Sequence, residues 1–168
     1  MDGFQLDLRN IVATAASKKT YGVLVRCGNT VVSLKNIHES FAGAISGAAV
    51  DNYKALPLFV YGTVKNLTVD GLAQAVDITG GPVIYGISLG GTYDPCTLDA
   101  GLIRDFKVLS FGAGGSKIWY GINLSSQLTV NNDLRIENCD FSILRQGSEV
   151  HFERPQDRVY FYNIMWGV

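Results

Sequence analysis

Leu67-Thr68-Val69-Asp70-Gly71-Leu72 decides how this chain is read, because the same phrase keeps returning. Two apolar residues alternate with polar ones, an Asn, Asp or Gly follows, and another apolar residue closes. Upstream copies are Leu6-Asp7-Leu8-Arg9-Asn10-Ile11 and Val32-Ser33-Leu34-Lys35-Asn36-Ile37. Downstream copies are Gly101-Leu102-Ile103-Arg104-Asp105-Phe106, Leu134-Arg135-Ile136-Glu137-Asn138-Cys139 and Val159-Tyr160-Phe161-Tyr162-Asn163-Ile164. The Asn-type positions 10, 36, 71, 105, 138 and 163 lie 26, 35, 34, 33 and 25 residues apart. Such intervals mark stacked repeats.

A second, looser phrase runs between the copies: Tyr21-Gly22-Val23-Leu24-Val25, Tyr85-Gly86-Ile87-Ser88-Leu89 and Tyr120-Gly121-Ile122-Asn123-Leu124. Both phrases show the period-2 alternation of strands with one buried face. Helical pattern is nearly absent; the Ala- and Gly-rich stretch from Ala42 to Val50 reads as a loop or marginal turn. The expectation is an all-β, right-handed parallel β-helix, a solenoid of about five to six rungs forming one domain over 1–168. A β-sandwich also supplies many short strands, but it does not explain why like residues return in phase.

In a stacked coil each slot sits about 4.8 Å above its predecessor, so slots become columns. One inward column is Leu8, Leu34, Val69, Ile103, Ile136, Phe161, and another is Ile11, Ile37, Leu72, Phe106, Cys139, Ile164. Tyr85 and Tyr120 are expected to stack as inward residues, with Tyr21 further along. The column Asn10, Asn36, Gly71, Asp105, Asn138, Asn163 reads as a bend, since these types tolerate left-handed backbone. Outward, Arg104 should face Glu137 and Lys107 should face Asp140, each pair contributing about 0.2–1 kcal/mol.

The bulk numbers narrow the function classes. The chain has 168 residues, 47% of them apolar, and a net charge of −1. That balance lacks the basic footprint of a nucleic-acid binder. No run approaches the roughly 18 apolar residues of a membrane span, and the first residues carry no signal-peptide pattern. Cys27, Cys96 and Cys139 have no metal-ligand spacing and read as buried reduced thiols. Asn66-Leu67-Thr68 and Asn123-Leu124-Ser125 match the glycosylation pattern, a short and unspecific match.

Gly-bounded coils, I-x-N or V-x-G corner phrases and long variable loops together resemble the parallel β-helix of bacteriophage tailspikes and related tail-fibre receptor-binding proteins, a fold class shared with pectate lyases. The resemblance spans roughly residues 4–168 and is one of pattern. It implies a homotrimer on the virion tail, assembled in the bacterial cytoplasm, that recognises or cuts bacterial surface polysaccharide of the host. Neither terminus supplies the polar cap a solenoid needs, so a segment of a longer protein, or ends covered by a partner, is expected.

Cleavage of a polysaccharide generally uses two carboxylates, about 5–5.5 Å apart for retention or about 6.5–9.5 Å for inversion. Asp94 and Asp99 share a loop; Glu137 and Asp140 flank a corner; Glu149 and Glu153 follow on one outward face. Cations beside Glu137 and Asp140 favour ionised, surface-paired carboxylates over proton donors. Glu149 and Glu153 are about 13 Å apart along an extended strand, too far for a pair on their own. No acid cluster matches a lyase calcium site, so neither a metal nor another cofactor is expected. His38 and His151 occupy outward strand slots without a nucleophile triad, and Gly112-Ala113-Gly114-Gly115 reads as a turn.

Binding is easier to motivate. Alternation from an inward Tyr120 points Trp119 outward, either to solvent or under the loop from Gly90 to Asp99, and Tyr93 sits in that loop. Aromatic faces suit sugar rings, with Asn123 and Gln127 as hydrogen-bonding partners. Trp166 reads as an interior or interface residue. The leading expectation is therefore a receptor-binding segment for polysaccharide, with no nucleic-acid partner and no membrane insertion. An endo-acting glycoside hydrolase and an inactive trimeric stalk stand as alternatives.

Overall fold

The computed structural model describes residues 1–3, 5–13, 19–45, 54–79, 83–111, 118–144 and 149–167. Twelve strands run through them, with no helix among the described residues: β1 (Gln5–Ala13), β2 (Lys19–Lys35), β3 (His38–Ile45), β4 (Lys54–Asp70), β5 (Ala73–Thr79) and β6 (Val83–Leu89). They continue as β7 (Cys96–Arg104), β8 (Lys107–Phe111), β9 (Ile118–Leu124), β10 (Leu128–Glu137), β11 (Val150–Phe152) and β12 (Val159–Tyr162). Ala42 to Ile45, read from sequence as the start of a loop, belong to β3; positions 46–50 lie outside the described residues.

Every ladder between strands is parallel, which excludes a sandwich of antiparallel sheets. A four-stranded sheet runs β1-β3-β5-β8, and an eight-stranded sheet runs β11-β9-β6-β4-β7-β10-β12, with β2 alongside β4. The larger sheet curls because β4 serves two limbs. Lys54 to Val60 pair with β6, whereas Gly62 to Asp70 pair with β7. Gly62 marks the bend with φ of 90°, a backbone value that glycine adopts freely.

Register converts repeats into columns. Leu34 pairs with Val69, Val69 with Ile103, Ile103 with Ile136, and Ile136 with Phe161. The first four are buried and Phe161 closes the row against the same core. Beside them Ile37, Leu72, Phe106, Cys139 and Ile164 are linked in the backbone ladder: Ala73 N–H donates to Ile37, Lys107 to Leu72, Asp140 to Phe106 and Met165 to Cys139, all at 2.8–2.9 Å. All three cysteines are free and buried.

Between these columns lies an asparagine corner. Asn36, Asp105, Asn138 and Asn163 have φ of 50–52°, and Gly71 has 70°. Asn163 Nδ2 donates to Asn138 Oδ1 at 2.9 Å, so one amide supports the next along the stack.

The first copy of the phrase behaves differently. Leu8 pairs with Phe41, not Leu34, and Asn10 continues within β1. The corner preceding Asn36 is Gly3, with φ of 63°; its N–H donates to the Lys35 carbonyl at 3.1 Å, and Asn36 Nδ2 donates to Asp2 Oδ1 at 2.8 Å. Alternation alone does not tell one sheet from the other, and Leu6 to Ile11 carries the phrase on the four-stranded sheet. With Gly3 in place of Asn10 the first interval becomes 33 residues, close to its neighbours.

Candidate functional site

A second corner joins the two limbs of the large sheet, and here the inserts vary. In the turns built on β2 and β4 the strand passes straight through. Loops 90–95, 125–127 and 153–158 fill the same place between β6 and β7, β9 and β10, and β11 and β12. They stack by backbone bonds: Gly62 N–H to Pro95 (2.8 Å), Cys96 N–H to Gln127 (3.1 Å), Ser125 N–H to Leu89 (3.2 Å) and Glu153 N–H to Leu124 (3.0 Å). The Arg154 guanidinium also donates to the Leu128 carbonyl.

Four of the residues singled out from sequence, Tyr93, Asp94, Gln127 and Glu153, therefore share this loop corner. Tyr93 sits at the tip of a tight turn closed by reciprocal Gly91–Asp94 backbone bonds and is 88% exposed. Gln127 lies on the next loop, exposed, its N–H donating to Ser125 Oγ at 3.1 Å. Glu153 occupies the third. Asn123 sits beneath them, only 1% exposed, and this burial removes it as a glycosylation acceptor. Its Nδ2 donates to Ser88 Oγ and to Glu153 Oε1, both at 3.2 Å, while Ser126 N–H donates to Glu153 Oε2 at 3.0 Å. Ser88 Oγ in turn donates to the Gly90 carbonyl at 3.0 Å. The chain of bonds fixes the Glu153 carboxylate as an oriented acceptor, and Asn123 Oδ1 is left without a hydrogen-bond partner.

An aromatic strip runs beside this polar row. Tyr85 and Tyr120 stack at 5.7 Å, and His151 lies 4.2 Å from Tyr120, with planes 14° and 21° apart. Phe59 joins Tyr21 and Tyr61 at 5.5 and 5.3 Å. These rings form a cluster separate from the main core, so Tyr85 and Tyr120 face outward, opposite to the expectation from alternation. The reason is a break at Gly86-Ile87 and Gly121-Ile122. A Cβ on Gly86 would meet Gln74 and Phe106, and one on Gly121 would meet Phe141, so both glycines turn inward beside inward isoleucines. Burial pushes the Tyr85 hydroxyl up to about 12, with the Glu153 charge adding to it.

Trp119 lies in β9 opposite Ile84, a residue of the main core; the Trp119 side chain lies outside the described residues. Gly112 to Gly115 lie outside them as well. The remaining acids are dispersed. Glu149, expected on an outward face with Glu153, is instead buried, 5% exposed, and accepts the Gly167 N–H at 2.9 Å, which ties down the last described residues. Asp140 accepts from Ser142 Oγ and N–H at 2.6 and 3.1 Å and lies 3.3 Å from Lys107. Those bonds, Ser142 first, hold its carboxyl below the usual range. Glu137 is the register neighbour of Arg104, yet Arg104 reaches the other way to Asp70 at 2.6 Å. Asp99, expected in a loop with Asp94, instead lies on β7 and accepts from Asn132 Nδ2 at 2.8 Å.

Among the described residues no group of three or more His, Cys, Asp or Glu is placed to hold a metal ion. Sequence reasoning missed the Tyr85–Tyr120–His151 strip as an outward-facing row, which is buried at Tyr85. The available signal was the Tyr-Gly-Ile triplet itself, since glycine before a β-branched residue allows two consecutive inward positions. The chain matches no protein-family model, no curated protein and no solved structure.

Proposed function

We propose that this chain is a right-handed parallel β-helix of five to six rungs, of the tailspike and tail-fibre kind, whose loop corner recognises bacterial surface polysaccharide. The observation that carries this reading is the co-location of exposed Tyr93, exposed Gln127 and the bonded Glu153 carboxylate on stacked loops beside an aromatic strip. Sugar rings offer apolar faces to aromatic side chains and hydroxyl donors to fixed carboxylates. A stacked corner repeats such contacts along its length, which suits a polymer of repeating sugars. Homotrimeric assembly on a virion tail belongs to the same reading and rests on the resemblance alone.

The test is a glycan array carrying bacterial surface polysaccharides, followed by titration of the strongest ligand. Tyr93→Ala and Gln127→Ala are expected to weaken binding at least tenfold each, with the melting temperature unchanged. Trp119→Ala is measured alongside. No binding to any polysaccharide, or full affinity in both loop variants, defeats the proposal. The same incubation, assayed for new reducing ends, separates a binder from a depolymerase.

A further inference from the structure

Inside the coil, far from the loop corner in sequence, one inward slot is polar. Glu39 on β3 and Gln74 on β5 are register partners one period apart. They are 1% and 0% exposed. Gln74 Nε2 donates to Glu39 Oε2 at 2.7 Å and to the Gly86 carbonyl at 2.9 Å. Because the Gly86 oxygen only accepts, the amide nitrogen must face it, and this fixes the orientation of the Gln74 amide. Glu39 Oε1 and Gln74 Oε1 are then both buried without a hydrogen-bond partner. Two orphaned acceptors in an apolar interior are a costly arrangement.

A single proton removes both faults. We propose that Glu39 is carried as the neutral acid, donating from Oε1 to Gln74 Oε1, so that the two side chains close a cyclic acid–amide pair that locks β3 to β5 and opens when alkali removes the proton. Among the described residues, no side chain facing Glu39 supplies a counter-charge. Gln74 comes from β5 and the Gly86 carbonyl from β6, while on β1 the backbone register partner of Glu39 is Leu6. Desolvation raises the Glu39 carboxyl from 4.5 to about 7, with the Gln74 bond opposing it. The folded form therefore holds a proton that the unfolded chain has released. Stability from this group is full below the unfolded value of 4.5 and is lost as pH rises toward and through about 7. The proton leaves to solvent and an unpaired carboxylate remains in the core.

Side-chain carboxyl 13C NMR of the wild-type protein, with Glu39 assigned by its absence in Glu39→Gln, reads the protonation directly. A midpoint near 7 supports the lock; a midpoint in the ordinary carboxyl range overturns it. Melting temperature across the acidic to mildly alkaline range gives the second readout. The wild type is expected to lose stability toward alkaline pH, whereas Glu39→Gln, which keeps a donor and an acceptor toward Gln74, gives a flatter profile. Identical slopes in the two proteins overturn the proposal. If Glu39→Gln fails to fold, the wild-type titration, assigned through-bond, still decides.

Discussion

The asparagine corner between the two sheets and the loop corner within the large one solve one geometric problem in opposite ways. At the asparagine corner each turn uses a single left-handed residue, Asn36, Gly71, Asp105, Asn138 or Asn163, and the chain resumes at once. At the loop corner Gly62 suffices in one turn, yet six residues intervene at 90–95 and three at 125–127. The first corner is flanked by two fully apolar columns, so any insertion there would shift both out of register. The second has its inserts on the outside, where added backbone meets solvent and neighbouring loops. Of these two corners, length varies only at the one whose loops leave the core untouched, and that is where the proposed binding residues lie.

The largest effect that would break this contrast is at the core side of the asparagine corner. Phe106 is fully buried and packs edge-on against Phe141 at 5.6 Å. Phe106→Ala is expected to destabilise by about 3–5 kcal/mol, read as a drop in urea midpoint. Next comes the bend itself. Asn138→Ala places a Cβ-bearing residue without a compensating amide at φ of 52° and removes the bond from Asn163; a loss of about 1–2 kcal/mol is expected. Asn138→Gly should recover most of it, and equal losses in the two variants would show that the amide ladder, not the backbone angle, is what matters. Smallest is the outer charge pair. Arg104→Ala removes an exposed contact to Asp70, and the urea midpoint should stay within experimental error at moderate salt. Tyr93→Ala belongs at this end for stability and at the opposite end for glycan affinity.

The columns were legible because period-2 alternation and an Asn-type residue every 33 to 35 residues from Asn36 to Asn138, then 25 to Asn163, leave little freedom of register. The succession Leu34, Val69, Ile103, Ile136, Phe161 follows directly. The first copy misled because Leu6 to Ile11 satisfies the same pattern on the other sheet, while the true corner is the unremarked Asp2-Gly3. Tyr120 misled because a pair of consecutive inward residues, Gly121-Ile122, reverses the parity that alternation assumes. Of the proposed binding residues, the sequence placed Tyr93 in a loop and named Gln127 only as a hydrogen-bonding partner; the backbone ladder is what puts their two loops side by side. Glu39 and Gln74 went unnoticed although they stand one period apart, since both are polar types that a sequence pattern assigns to the surface.

The three buried sulfur atoms have a practical consequence. Burial raises the Cys27 thiol, and takes Cys96 to about 12 and Cys139 to about 11, so an alkylating reagent meets almost no thiolate while the chain is closed. Each reacts when its own stretch opens. Cys27 lies on β2, Cys96 begins β7 and Cys139 follows β10, so timed labelling at three native positions would show whether the stack peels from one side, from both, or all at once.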